Sequence, residues 1–334
     1  MKPIAVIILN WNGEKLLREF LPSVIAHTPA DIADVIVVDN GSSDDSLSVM
    51  RNEFPSVKLI EFPENLGFAE GYNQALKATS YEYTVLLNSD VAVDDDWLTP
   101  MYDYMASHKN VGACQPKILS YADKSKFEYA GAAGGYLDRN GYPYCRGRIF
   151  DSIETDSGQY DDITSIFWAS GAAFMVRTEL YLKAGGLDAS FFAHMEEIDL
   201  CWRIRLMGYD IVAVPQAHVY HLGGGSLPAS NPRKTYLNFR NNLLMLHKNL
   251  PDATRRGKLF RRRILDGIAW LKYAVTFDFA NAAAIWKAHR DFAAMRSNYT
   301  LHPDTDLLSA VPNRDVNILT AYFISNIKTY SRLH

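Results

Sequence analysis

The chain has 334 residues, a net charge of −4 and a hydrophobic content of 48%. Its length allows one large domain with or without an appendage, and its acidic balance argues against a nucleic-acid-binding domain, which usually carries a basic surplus. Three cysteines without metal-like spacing indicate reduced thiols in a cytoplasmic protein, and the apolar start is too short for a signal peptide.

Apolar runs and helical patterns alternate in the first part of the chain, up to Asp90. The runs are nearly continuous in Val, Ile and Leu, which is typical of parallel strands that helices cover on both faces. The pattern predicts a βαβαβαβ series within an α/β fold. The predicted strands are 4–9, 35–38, 57–62 and 83–87, and the predicted helices begin near Glu14, Asp44 and Phe68.

Beyond Asp90 the regular alternation stops. A stretch rich in Gly and Tyr at 129–147 indicates a hairpin insertion, and the glycines and prolines of 222–233 are typical of a mobile loop that closes over a bound ligand. From Lys234 onward the pattern is helical. The other predicted elements are helices at 96–108 and 196–207 and strands at 111–118, 163–176 and 209–214.

Parallel α/β sheets bind ligands beyond the carboxyl ends of their strands, so the residues that follow the predicted strands are candidates for chemistry. The first of these turns lacks a G-x-G-x-x-G sequence and the chain has no P-loop, which argues against dehydrogenases and NTPases. The turns instead contain Asn10-Trp11-Asn12-Gly13, Asp39-Asn40-Gly41-Ser42, Asn65-Leu66-Gly67-Phe68 and Asn88-Ser89-Asp90.

These turns resemble those of the family 2 glycosyltransferases with the GT-A fold. The resemblance covers roughly residues 3–245, and it extends to the rhamnosyltransferase-like members that build bacterial surface polysaccharides. Further segments that carry it are Trp168-Ala169-Ser170-Gly171-Ala172, Gly186-Leu187-Asp188, residues 192–203 and Gly208-Tyr209.

The resemblance implies a GT-A fold, which is Rossmann-like with a mostly parallel central sheet flanked by helices. It implies a catalytic domain at 1–245, with a nucleotide-binding half at 1–110 and an acceptor and catalytic half at 111–245, followed by a C-terminal helical appendage at 246–334. The implied reaction is inverting transfer of a sugar from a nucleotide-diphosphate sugar, dTDP-rhamnose or a UDP-sugar, to a hydroxyl of a glycan or lipid-linked saccharide in cell-surface polysaccharide synthesis.

The donor nucleotide is expected near Asp39, whose carboxylate can accept a hydrogen bond from a pyrimidine N–H or a ribose hydroxyl, or can merely cap the helix that follows. Gly67, Gly71 and Asn73 lie at a predicted helix start, which favours phosphate binding but also suits a tight turn and helix packing. Further donor-binding candidates are Asn10, Asn12, Asn88, Trp168, Ser170, Gly171 and Arg240, with a buried core position as the alternative for Trp168.

Asn88-Ser89-Asp90 stands where the family has an Asp-x-Asp metal motif. A divalent cation, Mg²⁺ or Mn²⁺, neutralises the charge that develops on a leaving diphosphate. Here the first carboxylate is an amide, which leaves Asp90 as the main protein ligand. His221 precedes the glycine-rich loop at a position where related enzymes place a histidine near the metal, although a lone histidine is often only packed or solvated.

Glu196-Glu197 stands at the place of the family's Glu-Asp pair, whose second carboxylate is the general base. A base on the face opposite the leaving group takes the proton of the acceptor hydroxyl. The alignment assigns this role to Glu197, and Glu196 or Asp199 could share it. All three carboxylates could instead only stabilise a helix N-terminus.

Basic and aromatic residues dominate 255–286. This composition favours peripheral contact with the inner face of the cell membrane, because Lys and Arg are attracted to anionic lipids. A helical hairpin packed on the catalytic domain or on a second subunit, in a homodimer, is an equal alternative. Asp266, Lys272 and Asp278 argue against a membrane-spanning helix.

Two other functions compete with sugar transfer. A nucleotidyltransferase of related fold would need a loop rich in Gly and Arg after the first strand, which the chain lacks. A catalytically weakened sugar-nucleotide or glycan-binding protein would explain the missing first acid of the metal motif, whereas Asp90 and Glu197 argue for catalysis.

Overall fold

A computed structural model of the chain describes residues 2–223, 231–300, 302–310 and 313–333. The central part of the predicted loop, at 224–230, lies outside the described residues. The chain up to Asn88 folds as the predicted βαβαβαβ series. Its elements are β1 (Ile4–Asn10), α1 (Glu14–His27), β2 (Ala33–Asn40), α2 (Ser46–Glu53), β3 (Lys58–Phe62), α3 (Gly67–Lys77) and β4 (Tyr83–Asn88).

The following residues complete the sheet and add a small hairpin region. The region predicted as strand at 163–176 forms two strands, because the chain turns at Ser170, whose hydroxyl donates to the Ala130 carbonyl and accepts from the Ala172 N–H. The elements are β5 (Val91–Val93), α4 (Thr99–Ser107), β6 (Val111–Ser120), β7 (Gly135–Leu137), β8 (Pro143–Cys145), β9 (Arg148–Ile149), β10 (Ser152–Ile153), β11 (Thr164–Ile166), β12 (Ala173–Arg177), α5 (Thr178–Lys183), α6 (Glu196–Leu206) and β13 (Asp210–His221).

Within the described ranges, nine strands form one sheet in the order β11-β13-β6-β12-β4-β1-β2-β3, with β5 beside β13. Strands β4, β1, β2 and β3 are parallel, and β12 runs antiparallel between β4 and β6. Since β13 is parallel to β6, its carboxyl end reaches the same edge as those of β4, β1 and β2. The register places Asn10 beside Asp39 and Leu9 beside Asn88, so the polar strand ends meet at this edge.

Both faces of the sheet are covered by helices, as the apolar runs predict. In β1, Ile4, Val6 and Ile8 pack with α1, α2 and α4, whereas Ala5 and Ile7 pack with α3 and α6 on the opposite face. Burying a large aliphatic side chain contributes about 1.5–3 kcal/mol, and these residues are at most 2% exposed. The strands therefore hold their ends, and the polar residues there, in fixed positions.

Three helices follow the sheet: α7 (Pro232–Asn249), α8 (Asp252–Val275) and α9 (Phe279–Met295). They form the C-terminal helices that the sequence predicts, although the boundary at 245/246 falls inside α7. Asn242 of α7 donates to the Gly141 carbonyl at 2.7 Å and accepts from Arg262 of α8 at 2.5 Å, which joins both helices to the hairpin region. None of the described helices is long and apolar enough to cross a membrane.

The packing of Trp168 on Gly135 gives a stability prediction. Trp168 is 3% exposed, and a Cβ added to Gly135 would overlap its indole ring. We predict that Gly135→Ala lowers the free energy of unfolding by about 1–3 kcal/mol, because the ring must shift in a filled core. Denaturant titration measures the change.

Gly267→Ala is the matched control. This glycine lies on an exposed turn of α8, and a Cβ there would have no neighbour within 4 Å. Alanine should raise the free energy of unfolding by about 0.5–1 kcal/mol, because glycine is unfavourable in a helix. A Gly135→Ala protein as stable as this control would contradict the packing.

Candidate active site

Asp39 lies at the carboxyl end of β2 and is 2% exposed. Its Oδ1 accepts a hydrogen bond from Asn10 Nδ2 at 3.2 Å, and its Oδ2 accepts from the Ser42 backbone N–H at 2.9 Å. The carboxylate therefore shapes the turn after β2. It keeps acceptor capacity for a ligand, because an ionised carboxylate has about four lone-pair positions.

Asn12 holds the neighbouring turn in place. It adopts a φ of 49°, and its side-chain oxygen accepts from the Ser43 N–H at 2.7 Å. Its own N–H donates to Ser42 Oγ at 2.9 Å. Asn12 thus positions the loop beside Asp39, and its contact with a nucleotide stays a prediction.

The turn into α3 is built mainly for packing. A Cβ at Gly71 would lie 2.9 Å from the side chain of Leu9, so glycine lets α3 approach β1 closely. The amide of Asn73 bonds both the N–H and the carbonyl of Leu187 and accepts from the Tyr181 hydroxyl. These contacts support the packing alternative for Gly71 and Asn73. Gly67 has a φ of 81° and is the first residue of α3, so its predicted contact with phosphate stays a prediction.

Asp90, His221 and Glu128 form a line of charged groups at the ends of β4 and β13. His221 Nε2 lies 3.1 Å from Asp90 Oδ1, and His221 Nδ1 lies 3.2 Å from Glu128 Oε2. Burial disfavours the charged imidazole, but the two carboxylates outweigh it and raise the pKa of His221 to about 10. Burial likewise opposes ionisation of Asp90, and His221 nevertheless holds the pKa of that carboxyl below its usual value.

These residues offer one suitable carboxylate for a divalent cation. Mg²⁺ prefers oxygen ligands and often takes one or two carboxylates together with substrate phosphates. Asp90 supplies such a group, whereas the amide of Asn88 lies 3.4 Å from the His221 ring. No cluster of three or more His, Cys, Asp or Glu among the described residues is arranged to hold a metal ion. The site therefore fits a cation that takes most of its ligands from a diphosphate and water.

A strained turn precedes the two glutamates of α6. Phe192, His194 and Met195 have φ values of 66°, 69° and 77°, which residues other than glycine rarely adopt. Asn241 of α7 holds this turn, since its Nδ2 lies 2.8 Å from the carbonyl oxygens of Ala193 and His194. Helix α7 therefore fixes the point at which α6 begins.

Glu196 and Glu197 are desolvated carboxyl groups at the start of α6. Glu196 Oε2 and Glu197 Oε2 are buried and have no hydrogen-bond partner among the described residues. Burial raises the pKa of Glu197 to about 7, although hydrogen bonds from backbone N–H groups act to lower it. Burial and the charge of Glu197 raise the pKa of Glu196 well above its usual value. Two coupled carboxyls of this kind lose their protons in separate steps, so one of them holds a proton near neutral pH.

The base candidates lie at the same edge of the sheet as the metal candidates. The Asn88 N–H donates to the Ala172 carbonyl at 3.0 Å. The adjacent Gly171 faces Glu197, because a Cβ added to Gly171 would lie 3.9 Å from the Glu197 side chain. The strand register then continues from Asn88 past Leu9 and Asn10 to Asp39. One edge therefore carries the nucleotide, metal and base candidates in sequence.

Comparison with known proteins identifies the family of this fold. The profile described as "Glycosyl transferase family 2" matches residues 5–176, which is more than half of the chain. The chain belongs to glycosyl transferase family 2. The membership predicted from the turn sequences is thereby confirmed.

This family 2 chain is similar to curated glycosyltransferases. It is 23% identical over 241 residues to the N-acetylglucosaminyl-diphospho-decaprenol L-rhamnosyltransferase of Mycobacterium tuberculosis, covering 65% of this chain and 75% of that protein. It is 22% identical over 253 residues to a low-salt glycan biosynthesis hexosyltransferase of Haloferax volcanii, covering 72% of this chain and 74% of the relative.

Solved structures confirm the predicted GT-A fold. GalNAc-T7, solved with UDP, GalNAc and Mn²⁺, matches with a TM-score of 0.60 at 14% identity, over 95% of this chain and 60% of its own. The mannosyltransferase of Pyrobaculum calidifontis, in complex with GDP-Man and Mn²⁺, matches with a TM-score of 0.52 at 17% identity, over 88% of this chain and 84% of its own.

Some predicted site residues of the family 2 chain serve its interior instead. Trp168 is buried, and its Nε1 donates to the Tyr136 carbonyl at 3.0 Å, so it is a core residue rather than a pocket wall. The hydroxyl of Ser170 bonds the Ala130 carbonyl. Arg240 donates to the carbonyls of Ser190 and Phe191 and so holds the turn before α6, and its contact with a diphosphate stays a prediction.

Asp199 also has a structural role. Its carboxylate is fully buried and lies 2.8 Å from Arg203, 2.9 Å from Lys248 and 2.7 Å from the Asn249 amide. This geometry conflicts with the prediction that Asp199 shares the work of the base, because its oxygens are occupied by donors. By contrast, Glu196 Oε2 and Glu197 Oε2 have no hydrogen-bond partner within the described part of the chain.

Two residues at the site were not predicted from sequence. Glu128 lies between β6 and β7 and meets His221, and Asn241 comes from α7 and holds the turn before α6. Neither lies in a turn that follows a predicted strand.

A groove of about 620 Å³ opens beside the turn before α6, between α7 and α9, and its lining includes Phe192, Arg233, Leu237, Ala283 and Ala284.

The cluster around Asp199 yields a second stability prediction. Asp199→Ala should lower the free energy of unfolding by about 3–5 kcal/mol, because it removes the buried carboxylate that pairs with Arg203 and leaves Lys248 with Asp188 alone. Asp252→Ala is the control, since Asp252 is an exposed partner of Arg255 and should change stability by less than about 1 kcal/mol. Urea titration of both variants measures the difference, and equal small effects would show that the Asp199 cluster contributes little.

Proposed function

We propose that the chain is an inverting glycosyltransferase that moves a hexosyl group from a nucleoside-diphosphate sugar to a hydroxyl of a lipid-linked saccharide, in the synthesis of a cell-surface glycan. The observation that carries the proposal is the buried Oε2 of Glu197, which has no hydrogen-bond partner among the described residues and lies at the same sheet edge as Asp39 and Asp90. A buried acceptor without a donor is costly, so such a group indicates a ligand that completes it.

The donor lies across the carboxyl ends of β2, β1 and β4. Asp39 accepts a hydrogen bond from the pyrimidine ring or the ribose, which suits thymine or uracil, because both carry a ring N–H. The mycobacterial relative is an L-rhamnosyltransferase, which favours dTDP-rhamnose as the donor, with a UDP-sugar as the alternative. The diphosphate then reaches Asp90, at the end of β4.

The leaving diphosphate is stabilised at Asp90 and His221. Mg²⁺ or Mn²⁺ held by Asp90 would neutralise the negative charge of the leaving group, and both structural neighbours were solved with Mn²⁺. His221 adds the positive charge of its imidazolium, which Asp90 and Glu128 maintain. These charges act in a partly buried site, where they interact more strongly than in water.

Glu197 removes the proton of the acceptor hydroxyl. The acceptor oxygen forms a bond to the anomeric carbon, its proton passes to Glu197, and the bond to the diphosphate breaks on the opposite face, which inverts the configuration. With a pKa near 7, Glu197 is ionised often enough to act and basic enough to take the proton. Gly171 leaves room beside it.

The acceptor enters along the groove between α7 and α9. Leu237, Ala283 and Ala284 give part of this groove an apolar lining, and the cations Arg233, Arg240 and Lys287 also line it. Arg233 lies over the ring of Phe192, with 4.8 Å from the guanidinium to the ring centre. A lipid-linked diphosphate matches a groove that combines apolar walls with cations. The name of the mycobacterial relative, with its diphospho-decaprenol acceptor, supports this class.

One feature favours a second function. Asn88 replaces a carboxylate of the metal motif, and His221 is engaged by two carboxylates, so a sugar-nucleotide-binding protein with little catalysis is the competing proposal. Binding of nucleoside diphosphates with no turnover of any donor and acceptor pair would favour that function.

Replacing Glu197 by glutamine tests the base. We expect Glu197→Gln to lower kcat by about 10²–10⁴-fold with little change in donor affinity. In the wild-type protein kcat/KM should rise with pH to a plateau above about 7, since only the ionised carboxylate accepts the proton. Glu179→Gln, an exposed position on α5, is the control. An increase in KM alone would assign Glu197 to binding.

Glu197→Gln should also change how the free energy of unfolding depends on pH. Because the folded state raises the pKa of Glu197, it binds that proton more tightly than the unfolded state does. The free energy of unfolding should therefore fall as pH rises from about 4.5 to about 7 in the wild-type protein. Glu197→Gln should remove much of this fall, which urea titrations at a series of pH values would detect.

Replacing Asp90 by alanine tests the metal. Asp90→Ala should abolish metal-dependent transfer and remove the rise in melting temperature that a nucleoside diphosphate with Mg²⁺ or Mn²⁺ produces, because a ligand stabilises only the state that binds it. Asp95→Ala, at an exposed carboxylate outside the site, should keep both. An unchanged transfer rate in Asp90→Ala would remove the metal assignment.

A further inference from the structure

The outer surface of α8 carries a stripe of exposed apolar side chains. With 3.6 residues per turn, these side chains fall within roughly 80° of the helix circumference. Soluble helices normally turn such a stripe toward the core, and here it faces solvent. The exposed fractions are 66% for Phe260, 52% for Ile264, 62% for Ile268, 54% for Leu271 and 64% for Val275.

The inner surface of α8 is polar by comparison. Arg262 and Asp266 are buried and form an ion pair at 3.1 Å, and Asp266 also meets His289 of α9 at 3.0 Å. The helix thus docks on the protein through charged groups and leaves its apolar stripe uncovered. The apolar side of this amphipathic helix is therefore available to a partner outside this chain.

Cations flank the stripe on both sides. Arg261 and Lys272 border one side and Arg256 and Arg263 the other, and all four are exposed. None of the ion pairs found in the described part of the chain involves these four residues. Residues 255–290 contain nine Lys and Arg against two Asp, in a chain whose net charge is −4.

Exposed aromatic rings extend the same region to the turn after α8. Phe277 is 79% exposed and lies against Phe279, which is 63% exposed, with 6.1 Å between the ring centres. Trp286 of α9 is 71% exposed. We call the stripe, its four flanking cations and these three rings the outer face of α8–α9.

We propose that the outer face of α8–α9 binds the surface of an anionic lipid bilayer. An apolar stripe bordered by Lys and Arg is the composition of helices that lie in the membrane interface, where the apolar side chains enter the acyl boundary and the cations meet lipid phosphates. Aromatic rings are enriched at the same depth. Charge complementarity distinguishes the bilayer from other partners.

A second copy of this chain fits less well. A symmetric dimer through this face would place the cations of one helix beside the same cations of the other, since the same patch meets itself across a two-fold axis. Paired helices usually carry opposite charges beside their apolar seam. The outer stripe of α8 has cations on both flanks and no exposed acidic residue between Arg256 and Val275.

Binding of a bilayer at the outer face of α8–α9 would also bring the groove close to the membrane. Helix α9 supplies Ala283 and Ala284 to the groove and Trp286 to the outer face. A bilayer bound at α8–α9 therefore lies next to the groove proposed for a lipid-linked acceptor. This consequence rests on the proposed function, whereas binding to lipid does not.

The test is co-sedimentation of the full chain with vesicles. Wild-type protein should bind vesicles of phosphatidylcholine with phosphatidylglycerol and bind pure phosphatidylcholine weakly, with less binding at high salt. Ile264→Glu and Leu271→Glu should each lower the partition coefficient by about tenfold or more, because they place a charge in the stripe. Arg261→Glu with Lys272→Glu should remove the preference for phosphatidylglycerol.

Matched controls lie on α5. Leu182 is 45% exposed and Lys183 is also exposed, so Leu182→Glu and Lys183→Glu make the same changes outside the outer face and should bind as wild type. Circular dichroism and melting curves show that each variant is folded. Transfer to a soluble acceptor should persist in the stripe variants, which separates failure of membrane binding from failure of the proposed function.

Three results would overturn the proposal. The first is absence of binding to phosphatidylglycerol vesicles by the folded wild-type protein. The second is binding that Ile264→Glu and Leu271→Glu leave unchanged. The third is a dimer in solution that Ile264→Glu dissociates, since the face would then be a contact between two copies of the chain.

Discussion

The clamp between α6 and α7 is the interaction on which the candidate site depends. Asp199 joins the two helices through Lys248 and Asn249, and Asn241 holds the backbone turn that leads into Glu196. That turn contains three residues with positive φ, each of which costs about 1–3 kcal/mol. Buried hydrogen bonds contribute about 1 kcal/mol each, so several are needed to hold it. The clamp supplies them at the turn that leads into α6.

Asp90 and Glu197 lie in opposite environments at the sheet edge, and this difference separates the roles of the two carboxylates. Asp90 stays ionised because His221 outweighs the effect of burial on its pKa, which suits a group that faces a cation. Glu197 has no such partner among the described residues, and burial raises its pKa toward neutrality, which suits a base. Carboxyl groups whose pKa values are displaced in opposite directions are typical of sites that divide acid, base and electrostatic work.

The C-terminal helices connect these features. Helix α7 provides the clamp and one wall of the groove, α9 provides the other wall, and α8 presents the outer face. An arrangement of this kind would place donor chemistry on the rigid sheet and acceptor delivery on helices in contact with a lipid surface. The C-terminal helices therefore both support the turn before Glu196 and form the groove beside it.

The order of strands and helices and the turns that carry Asp39, Asp90 and Glu197 could be predicted from the sequence, because they depend on local patterns and on short motifs within a few residues. The same local reasoning assigned Trp168 to the pocket and Asp199 to the base, and the structure places both in the interior. Their partners are distant in sequence, as with Asp199 and Lys248, or Glu128 and His221.

Residues close together on one helix point in different directions, so Glu197 and Asp199 face different surroundings. Which of them meets α7 is decided only when the helices pack. The sequence by itself determined the fold class, the family and the strand-end motifs, since these need only neighbouring residues. Tertiary structure decided which carboxylates are satisfied by distant cations and which are left to meet a ligand, because that depends on contacts between separate elements.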